Sequence, residues 1–252
     1  MEFFSYLWGN MKYLILFALL FFSFSGDANG DTFPRVYNAH HADSAIEIDG
    51  RLDDKAWQKA EKSEYFISMK GVSFPAPEKK TSMKMLWDDN CLYIAAILEE
   101  DDIRATMTEH DSVIWHENAF EVFLDPYNDG QIYYEFEINS LGTVMDIVVT
   151  KPYSKGGQMI LGWECKGMKI AVHCDGTIND PSDSDNFWSV ELAIPFTSIS
   201  REHTAAKDQK TWRVNFTRVD WPSAGVHNSW AWSPTGNDIH IPELWGYLNF
   251  IE

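Results

Sequence analysis

The chain reads as an all-β protein, an antiparallel β-sandwich of immunoglobulin-like or jelly-roll type with one or two short helices. Three observations predict this. Short runs rich in Val, Ile, Phe, Tyr and Trp alternate with polar residues at a period of two. Turn-forming groups such as Asp49-Gly50, Asp88-Asp89-Asn90 and Asp175-Gly176 close these runs at short spacing. Helical periodicity is confined to two brief stretches, a distribution typical of a sandwich.

The elements follow in order. Ile46 to Asp49 predicts a short strand ending at the Asp49-Gly50 turn, and Asp53 is placed to cap a helix through Ala60 that carries Trp57 inward. Thr81 to Trp87 alternates, with Met83, Met85 and Trp87 on one face. Cys91 to Leu98 is apolar enough for a central strand buried on both faces. Ala119 to Leu124 and Ile132 to Ile138 follow, joined by a turn containing Asp125, Asn128 and Asp129. Gly142 to Thr150, a hairpin around Lys166-Gly167, Lys169 to Cys174, Trp188 to Ile194, Trp212 to Val219, Ser229 to Trp232 and Trp245 to Phe250 complete the strands. Phe196 to Ser200 is the second helical stretch.

Composition narrows the function classes. The 38 acidic residues outnumber the 20 basic ones, for a formal charge of −18, which disfavours nucleic acid and anionic membrane surfaces as partners. Aromatic residues make up 15% of the chain, 11 of them Trp. Such rings stack on the apolar faces of sugar pyranoses, and carboxylates accept hydrogen bonds from their hydroxyls. Cys91, Cys165 and Cys174 make no disulfide framework, although one bridge between Cys165 and Cys174 is conceivable across the expected hairpin. No GxSxG, HExxH, P-loop or GxGxxG motif is present.

At the N-terminus, Met11-Lys12 precedes the 12-residue apolar stretch Tyr13 to Phe24 and a small, polar segment from Ser25 to Gly30. That is the pattern of a cleaved export signal, with Met11 as the working start, and is short for a membrane span. The expected organisation is therefore a signal over residues 1–30 and a single domain over 31–252, secreted or periplasmic, with uncleaved anchoring as the lesser alternative.

A series of motifs carries a family resemblance. Ile48-Asp49-Gly50-Arg51-Leu52-Asp53-Asp54-Lys55-Ala56-Trp57 comes first, then Leu86-Trp87-Asp88-Asp89-Asn90-Cys91-Leu92-Tyr93-Ile94. Trp115-His116-Glu117-Asn118-Ala119-Phe120-Glu121-Val122-Phe123-Leu124-Asp125 and Tyr134-Glu135-Phe136-Glu137-Ile138-Asn139 follow. Trp188-Ser189-Val190-Glu191-Leu192, Trp212-Arg213-Val214-Asn215-Phe216, Trp230-Ala231-Trp232-Ser233-Pro234 and Trp245-Gly246-Tyr247-Leu248 close the series. In type, order and spacing they resemble the family 9 carbohydrate-binding modules and their relatives, from about Val36 to the end.

The resemblance implies a sugar-binding sandwich in which a glycan end lies between two Trp rings. It places the first ring on Trp115, a sugar-binding Glu on Glu121 and a sugar-contacting Asn on Asn139. This sequence departs from the pattern twice: the second Trp falls on His240 or Ile239, and a family Arg falls on Glu137. Some members carry structural calcium, for which Asp125, Asn128 and Asp129 form the oxygen-rich turn. The expected ligand set is thus Trp115, Glu121, Glu137, Asn139 and His240, with an oligo- or polysaccharide as partner and a glycoside hydrolase acting in trans.

Three other readings stay open. The chain could itself hydrolyse O-glycosyl bonds with a pair drawn from Glu117, Glu121, Glu135 and Glu137. A related sandwich holds haem, for which Met107, Met145 and His240 are candidate axial ligands. A purely structural or adhesive surface protein is the third. His110, His116 and His240 gathered with Asp111 are also metal-ligand types, without tight spacing.

Overall fold

The computed structural model describes residues 32–201, 203, 205–222 and 227–252; the expected signal over residues 1–30 lies outside the described residues. The strands are β1 (Val36–His41), β2 (Ile67–Ser68), β3 (Thr81–Trp87), β4 (Cys91–Glu99), β5 (Ala119–Asp125), β6 (Tyr133–Ile138), β7 (Val144–Val149), β8 (Met159–Ile160), β9 (Lys169–Asp175), β10 (Phe187–Pro195), β11 (Thr211–Asp220), β12 (Asn228–Ala231) and β13 (Gly246–Ile251). They form one hydrogen-bonded path in the order β8-β7-β6-β5-β11-β13-β1-β3-β4-β10-β9, with β12 and β2 branching from β11. The sandwich arises because this path curls on itself.

The alternation in each strand dictates the curl. Phe120, Val122, Leu124, Phe136, Ile138, Val214 and Phe216 project from the β5-β6-β11 side, and Met83, Met85, Leu92, Ile94, Val190 and Leu192 from the β3-β4-β10 side, into one apolar core. Burying a side chain of this size is worth about 2 kcal/mol, so the two faces close on each other. A second, smaller core lies on the opposite face of β5, β6 and β7, where Phe123, Tyr133, Met145, Ile147 and Val149 pack with Ile114 and Trp245. Every residue of those three strands is therefore buried.

The first and fifth sequence motifs meet in a clasp. Glu191 Oε2 accepts the backbone N–H groups of Asp49 (3.0 Å) and Gly50 (2.8 Å), and its Oε1 accepts Trp57 Nε1–H (2.7 Å). Ser189 donates to the Gly50 carbonyl at 2.6 Å. Gly50 has φ of 86°, and a Cβ there would lie 2.7 Å from the backbone of Val172 and His173, so only glycine fits.

Several local expectations are corrected. Ile46 to Asp49 is not a strand, because its amides turn to side chains: Asp49 N–H to Glu191, and Glu47 N–H to Asp54 Oδ2 at 2.8 Å. The expected helix over Asp53 to Ala60 shrinks to a 3-10 turn, Lys55–Gln58, without a side-chain cap. Phe196 to Ser200 forms turns, and no α-helix occurs among the described residues. No hairpin forms around Lys166-Gly167; β8 instead pairs with β7. Cys165 and Cys174 are free thiols; Cys174 Sγ donates to the Ser140 carbonyl at 3.7 Å. The sheet is not wholly antiparallel, since β1 runs parallel to both β13 and β3.

Candidate functional site

The slot lies on the second face of β5 and β6. In the antiparallel register Glu121 pairs with Glu137, and Glu135 is two residues along the same face. All three carboxylates reach the floor of a cavity of about 420 Å³. Trp115, Tyr153, Thr217, Ile239 and His240 line its walls.

Trp115 is set by its backbone. A 3-10 turn over Ile114–His116 buries Ile114 in the second core, leaving the Trp115 ring half-exposed at the cavity. Trp115 N–H donates to Glu137 Oε2 at 2.9 Å, and its carbonyl accepts Trp221 Nε1–H at 3.0 Å. The indole meets His116 edge-on, with centroids 5.5 Å apart.

The carboxylates have few donors. Glu121 accepts the Thr217 hydroxyl and Glu137 accepts Trp115 N–H, while Glu135 Oε2 is buried without a hydrogen-bond partner. Burial pushes the pKa of Glu121 up to about 7. Burial first, then repulsion from Glu121, pushes Glu135 up to about 8. Glu137 is raised well above the usual carboxylate range, again by burial first and then by its two acidic neighbours. No Lys or Arg is among the described lining residues to oppose this. At neutral pH the floor therefore offers both hydroxyl donors and carboxylate acceptors.

His240 sits where the resemblance places the second ring. Its Nδ1 is 2.9 Å from the Tyr133 hydroxyl and 3.9 Å from Glu135 Oε2. Its ring packs on Tyr153, with centroids 4.5 Å apart and planes at 66°. Burial lowers its pKa to about 4, so the imidazole is neutral at physiological pH.

The structure thus brings Trp115, Glu121, Glu137 and His240 around one cavity. Asn139 does not line it. Its amide donates to the Met107 carbonyl and to Glu117 Oε1, and its oxygen accepts Leu141 N–H and Thr143 N–H. Its bonds shape the turn behind Trp115. Glu117 is likewise outside the cavity and takes Thr106 N–H at 2.8 Å. Glu135, Tyr153 and Thr217 also line it, although none belongs to the expected ligand set. Thr217 was legible as a polar residue on an otherwise buried strand face, whereas Tyr153 follows a loop and carried no signal.

Neither cofactor set fits. In the acidic turn, Asp125 accepts Gly130 N–H and Tyr127 N–H, Asp129 is held bidentately by Arg201, and Asn128 Oδ1 accepts Arg213 Nε–H at 2.9 Å. Calcium there would have to displace two guanidinium groups and two backbone amides. Met145 is fully buried in the second core, and neither it nor Met107 lines the cavity with His240, so no axial haem pair is assembled.

A curled sandwich with an aromatic and carboxylate slot on its second face defines a class of small-ligand-binding β-domains. The profile described as "Carbohydrate family 9 binding domain-like" matches residues 48–251, and the chain belongs to that family. Endo-1,4-beta-xylanase A of Thermotoga neapolitana is 32% identical over 90 residues, 35% of this chain and 8% of that protein. Exoglucanase XynX of Acetivibrio thermocellus is 27% identical over 156 residues, 61% of this chain and 12% of that protein. The chain thus spans a small fraction of the relatives it matches. Among solved structures, a Bacteroides uniformis protein is 16% identical with a TM-score of 0.67, covering 86% of this chain and 99% of that one. A family 9 module from Caldicellulosiruptor kristjanssonii, solved with cellotriose, is 15% identical with a TM-score of 0.57, covering 86% and 93%. These likenesses establish the fold.

Proposed function

We propose that this protein captures glycans, with one sugar unit seated in the slot against Trp115 and hydrogen-bonded by Glu121, Glu135 and Glu137. The observation that carries the reading is the shared cavity of an aromatic ring and three under-satisfied carboxylates. Apolar contact with the indole and charge-assisted hydroxyl bonds are the two interactions a pyranose offers. The Caldicellulosiruptor kristjanssonii module solved with cellotriose and with glucose supports the ligand class. The xylanase and exoglucanase relatives support a place in polysaccharide breakdown, alongside a glycoside hydrolase. The apolar stretch Tyr13 to Phe24 supports export, with residues 1–30 removed and 31–252 working as one domain in the periplasm or medium. No helix among the described residues is long and apolar enough to cross a membrane.

Isothermal titration with xylo- and cello-oligosaccharides and their borohydride-reduced forms tests this. Saturable binding that Trp115→Ala weakens about tenfold or more is expected, the equivalent of at least one lost stacking contact. A broad panel giving no heat would overturn it. The raised pKa values of the three floor carboxyls favour one second reading, acid-assisted glycoside hydrolysis. New reducing ends in the same samples, lost in Glu135→Gln, would establish that reading instead.

A further inference from the structure

Asp146 sits on β7 between Met145 and Ile147 but faces the other way, away from the slot. It is 1% exposed. Its Oδ2 accepts Cys165 N–H at 2.6 Å, while its Oδ1, fully out of water, makes no hydrogen bond. A second carboxylate oxygen is in the same condition. Asp111 Oδ1 is buried and also makes no hydrogen bond. Asp111 is held over β7 by its own backbone, with φ of 61° and its N–H donated to the Val144 carbonyl at 3.0 Å. A non-glycine residue in the left-handed region is a strained choice that aims a side chain.

Both oxygens converge on one imidazole. His110 Nε2 lies 3.1 Å from Asp146 Oδ1, 3.6 Å from Asp111 Oδ1 and 3.3 Å from Glu164 Oε2. The ligand atoms of His110, Asp111 and Asp146 all fall within 4.8 Å of one another. Zinc binds nitrogen and oxygen at about 2.0–2.1 Å in a tetrahedron, whose edges are then about 3.3 Å. The three separations from Nε2 straddle that edge length. One imidazole with carboxylates is a set for zinc, whereas calcium takes six to eight oxygens. The Cys165 N–H bond to the far oxygen of Asp146 is the outer-shell support that orients a ligating carboxylate.

We propose that His110, Asp111 and Asp146 hold a zinc ion, with Glu164 reaching His110 from the neighbouring loop. The ion neutralises buried carboxylate oxygens that have no hydrogen bond. It also ties the segment leading to Trp115 onto β7, from the face opposite the slot, so its role is structural.

The test uses the full chain, stripped with a chelator and titrated calorimetrically with Zn2+ and, separately, with Ca2+. One equivalent of zinc and a raised Tm are expected, with calcium giving neither. His110→Ala removes the stoichiometric zinc binding and the Tm shift; its side chain is 47% exposed, so the fold tolerates the change. Asp146→Asn does the same where it folds. No saturable zinc binding would overturn the proposal and leave His110 as the acids' side-chain neighbour alone. Equal zinc binding by His110→Ala and the unmodified chain would overturn it as well, by placing the metal elsewhere.

Discussion

Two groups of buried carboxylates in this molecule are chemically alike and differently treated. Glu191 is fully buried and takes three N–H donors, from Asp49, Gly50 and Trp57. Burial raises its pKa, while the three donors pull it back down. Glu121, Glu135 and Glu137 are 5%, 3% and 2% exposed, yet share only the Thr217 hydroxyl and Trp115 N–H as protein donors. A saturated carboxylate has nothing left to offer a ligand and works as a bolt. An under-satisfied cluster beside a cavity keeps lone pairs and protons for an incoming molecule, and the protein tolerates the residual repulsion by leaving the cluster partly protonated.

Removing the bolt is the most damaging change. Glu191→Ala leaves the buried N–H groups of Gly50 and Trp57 unpaired, Asp49 N–H keeping the Glu47 carbonyl, and should cost about 2 kcal/mol or more in urea unfolding; a loss near zero would show that water replaces the carboxylate. Trp115→Ala acts on the other group: sugar affinity should fall by about 1.4 kcal/mol or more, with a smaller loss of stability than Glu191→Ala because the ring is only partly buried against the second core.

The pH response separates the groups further. The folded pKa values of Glu121 and Glu135, about 7 and about 8, lie above the ordinary 4.5. The folded state therefore holds protons that the unfolded state has released, and stability falls as pH rises through this range. His240, lowered to about 4, acts in the opposite sense and loses stability only as pH falls below 6.5. Between pH 6.5 and 8 the acids act alone. Tm should decline across that window in the unmodified protein and decline less steeply in Glu135→Gln, where Glu121 and Glu137 still titrate. An unchanged slope in the variant would remove Glu135 from the coupled set.

The smallest effect tests a helix cap that did not form. The N-cap position of the Lys55–Gln58 turn falls on Asp54, not Asp53, and carries no side-chain cap bond. Asp53→Ala should change stability by less than about 0.5 kcal/mol, and a loss of a full cap's worth in thermal unfolding would restore the capping role.

Most of the sandwich was legible because alternation survives in β3, β5, β6, β10 and β11, where one face always meets the core. What escaped has local causes. The parallel strand β1 has no hairpin turn to announce it, and β2 and β8 are two residues long. Ile46 to Asp49 reads as a strand because extended backbone held by a carboxylate looks, in sequence, like extended backbone held by a neighbour. In the slot, Trp115, Glu121 and Glu137 stand out as aromatic or charged residues flanking apolar positions. Asn139 fits the same pattern, but its amide and oxygen are spent on Met107, Glu117, Leu141 and Thr143, and no spacing rule separates a residue that shapes a turn from one that faces a cavity.

The parallel strand β1 has a consequence for how the protein is made. Val36 pairs with Tyr247 and His40 with Ile251, while His40 also registers with Leu86. The seam between the two halves of the curled sheet is thus stitched by segments separated by most of the domain. Such contacts are slow to find, and the ladder cannot close on a growing chain until β13 has left the ribosome.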